Sequence, residues 1–224
     1  MISVRTMREF LNHIAVLYNK AKRRSYNVDK RVVKGRARCV ASQTEEAFAN
    51  FVCQSILGKK PGFRVLVDFP ITIECDGGKS TRYIDFILVK SIEDNRYEIR
   101  YMVELKMNIG WMRDRILDTV RELRKQIAVM RRGHLSSRPG GKNSKRLEFI
   151  FSKSARYDLV IVSGVNGELE ELKKVQSDCN KRKCETTRLM ILCDGAIEKG
   201  CTINEVDKCL LDKRMRSAIN ECND

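Results

Sequence analysis

The sequence predicts an α/β protein in which helices flank a mixed central β-sheet. Two observations predict this class. Three strand-like segments follow one another in the first half of the 224-residue chain, as in a β-meander, and a helical segment lies on either side of them. After this meander, short apolar runs typical of buried strands alternate with segments of helical periodicity. This order favours one sheet covered by helices.

The chain begins with two helical segments separated by a basic stretch. Apolar residues at helical spacing predict a first helix over 2–24. Residues 25–41 are basic and lack clear periodicity, which is typical of a loop or linker. A second helix is expected over 44–57, where Ser42 with Glu45 resembles a capping box.

The middle of the chain predicts three strands and one long helix. The strands are expected over 63–74, 82–90 and 97–106, and the second is nearly all apolar, as in a central strand covered on both faces. The helix is expected over 111–132. Its apolar residues step by four and three positions along one face: Ile116, Val120, Leu123, Ile127 and Met130.

The last third of the chain begins with a segment, 133–144, that is rich in Gly, Ser, Pro and basic residues and therefore predicts a loop. A compact apolar strand is expected over 157–163 and a helix over 168–180. Another strand over 188–193 and an amphipathic helix over 203–222 complete the chain.

The charge of the chain indicates a polyanionic partner. Lys and Arg number 44 against 29 Asp and Glu, a formal net charge of +15, and nucleic acid is the commonest partner of such proteins. The surplus is uneven: residues 1–40 and 100–160 carry +9 each, whereas 41–99 carry −2 and 161–224 carry −1. This pattern suggests a basic groove with an acidic floor, although solvated helix faces could also produce it.

Several classes of protein are disfavoured by composition. The sequence has no run of 18 apolar residues and no secretory apolar core near its start, so neither a membrane span nor secretion is expected. The nine cysteines are then expected to be reduced thiols of a cytoplasmic protein. They form no CxxC pair, and the two histidines are isolated, which disfavours zinc and histidine chemistry.

Charged residues interrupt two neighbouring strands of the meander. If Asp94 and Asn95 form a two-residue hairpin turn, opposed residues have numbers that sum to 189, and Asp85 lies directly opposite Glu104. Lys106 projects from the same face as Glu104. The strand pair would therefore bring two carboxylates and one ammonium group to a single place.

Such a place favours a cation. Two carboxylates opposed across a strand pair repel each other, and Mg²⁺, which prefers carboxylate oxygens, would reverse that effect. Two alternatives remain open. Asp85 could form a plain internal ion pair with Lys106, and a slip of one residue in the register would put Asp85 and Glu104 on opposite faces.

These residues resemble a known family. Asp85, followed by Glu104-Leu105-Lys106 on the next strand, resembles the motif of the PD-(D/E)XK, or restriction-endonuclease-like, nuclease superfamily. The order of elements over 42–163 resembles the core of that superfamily. Its pattern includes a glutamate on the helix before the meander. Glu45 matches best, because apolar residues three and seven positions later put it on the sheet-facing side, and Glu46 is the competitor.

The resemblance implies a DNA endonuclease, a hydrolase of phosphodiester bonds that depends on Mg²⁺ or Mn²⁺. Asp85, Glu104 and the carbonyl of Leu105 would bind the metal, and Glu45 would support it directly or through water. Lys106 would position the attacking water and stabilise charge in the transition state. Restriction, other defence against foreign DNA, and DNA repair are roles that such nucleases perform.

The predicted elements also divide the chain. We expect a basic helical extension over 1–41, a nuclease core over 42–195 and a C-terminal helix over 196–224 that packs on the core. Some branches of the superfamily use a glutamine on the helix after the third strand, where this chain has Gln126. Many relatives act as dimers, and the amphipathic terminal helices are candidate surfaces for a homodimer.

Basic residues on both sides of the acidic stretch are candidate contacts to the phosphates of double-stranded DNA. They are Lys22, Arg23, Arg24, Arg36, Arg121, Arg124, Lys125, Arg131, Arg132 and Lys142. Two rival interpretations remain. The chain could be a catalytically inactive nucleic-acid-binding module of the same fold, or an interaction subunit whose charge binds an acidic protein.

Overall fold

The computed structural model describes most of the chain: residues 1–22, 41–58, 60–75, 77–109, 115–139, 144–165, 173–178 and 186–220. The longer helices are α1 (Val4–Lys22), α2 (Ala41–Val52), α3 (Ile116–Met130) and α4 (Glu205–Asn220). The strands are β1 (Phe63–Cys75), β2 (Gly78–Glu93), β3 (Arg96–Asn108), β4 (His134–Ser137), β5 (Leu147–Ser163), β6 (Leu189–Asp194) and β7 (Thr202–Ile203).

The seven strands form one mixed sheet, which confirms the predicted class. β1, β2 and β3 pair antiparallel as a meander, β5 pairs parallel with β3 and β6, and β7 pairs antiparallel with β6. The short strand β4 bridges β1 and β5. Because β5 also pairs with β3, the strands β1, β2, β3, β5 and β4 close into a ring.

Helices cover both faces of this sheet with separate apolar clusters. The first cluster joins α1, α2 and α4 to the sheet and contains Met7, Phe48 and Met215, which are fully buried. The second cluster lies under α3. All five residues of the predicted apolar stripe of α3 are buried there, so the periodicity of that segment identified the correct face.

A buried ion pair connects the last helix to the sheet. The guanidinium group of Arg214 in α4 donates to both carboxylate oxygens of Asp158 in β5, at 2.6 Å and 2.7 Å. The same carboxylate accepts a hydrogen bond from the Tyr101 hydroxyl and one from the backbone N–H of Arg188. Asp158 is fully buried. Each of its oxygens is therefore satisfied without water.

Three elements differ from the sequence prediction. β5 begins at Leu147 rather than at Tyr157, because its first half, which mixes polar and apolar residues, also pairs with β3 and β4. The segment read as a loop contains the four-residue strand β4. The last turns of the second helix, Cys53–Leu57, are a π-helix that ends at Gly58, where φ is 53°. Within the described residues, no helix combines the length and apolar character needed to cross a membrane.

Candidate active site

The hairpin turn between β2 and β3 lies where the sequence predicts it. Glu93 pairs with Arg96, so Asp94 and Asn95 form the two-residue turn. Asn95 has a φ of 62°, a left-handed conformation that asparagine tolerates better than most residues. The register therefore starts with opposed numbers that sum to 189.

Two irregularities in the ladder of β2 and β3 compensate for each other. The first leaves Ile92 as an extra residue in β2, and the second leaves Arg100 as an extra residue in β3. Each extra residue shifts the register by one residue, and the second shift is opposite in direction to the first. Phe86 consequently lies opposite Val103, as the turn alone predicts. A single uncompensated bulge would have put Asp85 and Glu104 on opposite faces.

The ladder of β2 and β3 ends at the pair of Phe86 and Val103, and charged side chains lie just beyond it. The Asp85 carboxylate accepts a hydrogen bond of 2.7 Å from the backbone N–H of Leu105, in place of a backbone carbonyl of β2. The Lys106 ammonium group lies 2.6 Å from Glu104 Oε1 and 3.5 Å from Asp85 Oδ2. The structure thus brings the two carboxylates of the predicted site together around the ammonium nitrogen of Lys106.

The charges of the three groups depend on one another. Burial opposes the charge of Lys106, but Glu104 and Asp85 outweigh it and raise the lysine pKa above its ordinary value. Burial and the Glu104 charge raise the pKa of Asp85, although Lys106 and the Leu105 N–H partly offset this. Lys106 is therefore an ammonium ion at neutral pH and cannot act as a base in this state.

Tyr157 is a site residue that the sequence interpretation missed. Its hydroxyl, on the neighbouring strand β5, donates a hydrogen bond of 3.1 Å to Glu104 Oε2. Burial, followed by the charge of Glu104, raises the tyrosine pKa well above its ordinary value, so the hydroxyl stays protonated and remains a donor. Tyr157 and Lys106 together fix both oxygens of the Glu104 carboxylate.

The structure distinguishes the two glutamates at the start of α2. Glu45 is buried, with 8% of its surface exposed, whereas Glu46 is exposed. Thr44 Oγ1 lies 4.0 Å from Met107 Sδ, so this end of α2 lies against the end of β3. Burial, and then the charge of Asp85, raise the pKa of Glu45 to about 7. Glu45 is therefore the glutamate that faces the charged cluster.

A second acidic residue, Asp68, lies beside Asp85. It occupies the β1 position opposite Asp85, and its charge is among those that raise the pKa of Glu45. Two ladder pairs flank it: Val67 with Phe86, and Phe69 with Ile84. The first pair packs in the first apolar cluster, against α1, α2 and α4, and the second pair packs in the cluster under α3. At the two aspartates, therefore, the side chains of both strands that had pointed to one face of the sheet begin to point to the other. Asp68 accommodates this change of side-chain direction with a φ of 45°.

A cavity of about 540 Å³ opens beside Glu104 and Lys106. Its other wall is the polar side of α3 and the residue that precedes it: Arg115, Asp118, Thr119, Glu122, Leu123 and Gln126. Gln126, which the resemblance singled out, therefore shares one cavity with the charged cluster. The cavity gives a bound molecule access to two of the three charged groups.

The candidate phosphate-binding residues of α3 and its end have different partners. Arg121 is exposed and pairs with Asp118 at 2.9 Å. Lys125 is exposed, and Arg124 is half-buried. Arg131 and Arg132 make contacts within the protein: they donate to backbone carbonyls of β5 and of α3, respectively. Arg131 thus has a structural role in joining α3 to β5.

The remaining candidates cannot be placed by this structure. Arg23, Arg24, Arg36 and Lys142 lie outside the described residues. Lys22 is the last residue of α1, and its side chain also lies outside the described part. These predictions stay predictions.

The donor set suits a hard cation, although the ligands are not gathered into a closed cage. Among the described residues, no three His, Cys, Asp or Glu side chains are close enough to form a complete metal-ligand set. Mg²⁺ usually binds through one or two carboxylates and keeps several waters, so two carboxylates suffice for it.

Comparisons of the chain with family models, with curated proteins and with solved structures give no match.

The raised pKa of Glu45 predicts a pH-dependent stability effect in the metal-free protein. The folded pKa lies above the unfolded value, so ionisation of Glu45 weakens the folded state progressively as pH rises from about 4.5 to about 7. We expect Glu45→Gln to raise the free energy of unfolding by about 1–3 kcal/mol at pH 8 and by much less at pH 5.

Urea unfolding in EDTA at the two pH values measures this effect, and Glu46→Gln is the matched control. Glu46 is the neighbouring exposed glutamate, so its substitution should have little effect at either pH. Equal effects of the two substitutions at pH 8 would show that Glu45 is not held in a charge-disfavouring environment.

Proposed function

We propose that the chain is a DNA endonuclease that depends on Mg²⁺ or Mn²⁺ and has a PD-(D/E)XK, restriction-endonuclease-like core. The observation that carries this proposal is the meeting of Asp85, Glu104 and Lys106 where the β2–β3 ladder ends, beside an open cavity. Two carboxylates that can hold a cation and an ammonium group that can stabilise negative charge suit phosphodiester hydrolysis. The net charge of +15 favours a polyanionic substrate.

The oxygen donors present fit a magnesium ion. Asp85 and Glu104, with the Leu105 carbonyl, would hold it, and Glu45 would support it. Glu45 makes no hydrogen bond to any other described residue, so its carboxylate is available for a ligand or for water. A bound Mg²⁺ supplies positive charge that acidifies a water ligand and offsets charge on the phosphate.

The residues of the chain have distinct tasks in this proposal. Hydrolysis forms a bond from a water oxygen to phosphorus, breaks a phosphorus–ester bond and gives a proton to the leaving oxygen. The Lys106 ammonium group stabilises the negative charge that develops on the phosphate oxygens. Glu45, which faces the charged cluster from α2, would accept the proton of the water. Tyr157 holds the Glu104 carboxylate in position.

One observation favours a second candidate, a catalytically inactive nucleic-acid-binding module. Lys106 already pairs with both carboxylates, so the three charges stabilise one another without any ion. In such a module the cluster would only hold the ends of β2 and β3 together. The basic surface would still bind DNA, but no bond would be cleaved.

Incubation of the protein with supercoiled plasmid separates the two candidates. We expect nicked and linear products with Mg²⁺ or Mn²⁺ and intact plasmid with EDTA. Salt-sensitive binding of the plasmid without any cleavage in either metal would favour the inactive module. Cleavage that persists undiminished in EDTA would contradict a metal-dependent centre.

A further inference from the structure

The outer half of the β1–β2 hairpin has one open face, which is continued by β4. We call this surface the hairpin face. It surrounds a cavity of about 480 Å³, and its residues are Pro70, Thr72, Lys79, Thr81, Tyr83, Ser136, Ser137, Arg138, Pro139 and Arg146. The cavity lies apart from the cavity beside Glu104 and Lys106, with which it shares no residue.

Strand alternation explains why this face is open. Beyond the two aspartates, Ile71, Ile73 and Ile84 turn toward the apolar cluster under α3. Their neighbours in the strands point the other way. Tyr83 is consequently 66% exposed, although it is a large aromatic residue in the middle of a strand. The hairpin face is thus a sheet surface that no described helix covers.

The hairpin face has a positive charge. Three cationic residues line its cavity, namely Lys79, Arg138 and Arg146, and none of the ten lining residues is acidic. Lys79 pairs with Glu74 at 2.6 Å, which neutralises one charge at the margin. Arg146 contacts the ring of His134 at 3.0 Å rather than a carboxylate. Glu148 of β5 lies opposite Ser136 and adds a carboxylate to this face, so the three cationic residues exceed Glu74 and Glu148 by one charge.

The cavity wall also contains hydroxyl groups. Thr72 and Thr81 oppose each other across the hairpin, with 3.0 Å between their hydroxyl oxygens. Ser136 lies opposite Thr72 in the ladder of β1 and β4, so its side chain is on the same face. Hydroxyls beside arginine and lysine are typical donors to phosphate oxygens.

From the open face, its charge and its hydroxyl donors, we infer that the hairpin face binds the phosphodiester backbone of duplex DNA. The inference rests on the proposed function, because it extends the DNA path outward from the candidate active site along β2. The face begins at Tyr83, two residues from Asp85, and Lys79 lies six residues, or about 20 Å, from Asp85 along β2. Roughly six base pairs span that length, so one duplex is long enough to reach from Asp85 to Lys79.

Binding of a fluorescent 20-base-pair duplex in EDTA tests the inference without any cleavage. The test protein is the double variant Arg138→Gln, Arg146→Gln, and the matched control is Lys199→Gln, Lys213→Gln, which removes two exposed charges elsewhere. We expect the first variant to bind about tenfold more weakly than the second. Its affinity should also depend less on salt, with a log–log slope smaller by about 2.

Each outcome has a defined meaning. Equal affinity and equal salt slope in the two double variants would overturn the inference, as would a wild-type protein that binds no duplex. Tighter binding of an RNA duplex of the same length would overturn the assignment to DNA. Failure of the proposed function is a separate result, since it is measured as the absence of plasmid cleavage in Mg²⁺ while binding in EDTA is intact.

Discussion

Replacement of Lys106 by methionine is expected to lower the rate of Mg²⁺-dependent plasmid cleavage by about 10²–10³-fold. The ammonium group is the only one of the three clustered charges that can stabilise negative charge on the phosphate. Methionine keeps most of the length of the side chain but carries no charge. Because the loss concerns the transition state, the affinity for DNA in EDTA should change far less than the cleavage rate.

The matched control is Lys153→Met, which removes an exposed lysine of β5. It should cleave at nearly the wild-type rate. Lys106→Met also leaves Asp85 and Glu104 without their shared cation, so its thermal unfolding must be recorded to show that the protein is folded at the assay temperature. A folded Lys106→Met protein that cleaves like the control would remove Lys106 from the proposed mechanism.

Replacement of Arg214 by methionine is expected to lower the free energy of unfolding by about 3–5 kcal/mol. Asp158 would be left fully buried with its charge unpaired, since Tyr101 and the Arg188 N–H donate hydrogen bonds but carry no positive charge on those groups. Burial already raises the pKa of Asp158 against the opposing effect of Arg214. Loss of the arginine would raise it further.

Urea denaturation at pH 7 measures this loss, and Arg216→Met is the matched control. Arg216 pairs with Asp212 within the same helix, but it is only partly buried, and its loss should cost about 1 kcal/mol or less. The double variant Asp158→Asn, Arg214→Met should recover part of the stability, because it removes the stranded charge. Equal losses for the two arginine variants would contradict a stabilising buried pair.

The core of the candidate site could be predicted because a turn determines a register. The Asp94–Asn95 turn and the numbers of Asp85 and Glu104 were enough to oppose the two carboxylates. The two bulges between the turn and the site could not be predicted, since nothing in the local sequence marks Ile92 or Arg100 as extra residues. The prediction holds only because the two irregularities cancel.

Asp68 shows what the same reasoning could have added. Cys75 pairs with Gly78, and an Asp-Gly dipeptide, a strong signal for a two-residue hairpin turn, lies between them in the sequence. The register that starts there opposes Asp68 and Asp85. The left-handed backbone conformation of Asp68, by contrast, results from the change of side-chain direction in the folded sheet and has no local signature in the sequence.

The roles of Tyr157 and Asp158 and the presence of β4 depend on tertiary contacts, which hydrophobic periodicity in the sequence does not reveal. Tyr157 and Asp158 belong to a run of apolar residues and were included in an ordinary buried strand. Their polar atoms have partners on β3 and α4 that lie more than 50 residues away in the chain. The strand β4 is too short and too rich in serine to be distinguished from a loop by periodicity.

The cleavage of supercoiled plasmid in Mg²⁺ by wild-type protein and by Asp85→Asn, side by side, tests the metal-dependent centre most directly. Asparagine can still accept the hydrogen bond from the Leu105 N–H, so the ends of β2 and β3 should keep their arrangement. Only the negative charge that a cation requires is removed. We predict cleavage by the wild type and none by Asp85→Asn, with equal affinity for DNA in EDTA. Equal cleavage by both proteins would contradict the proposed site.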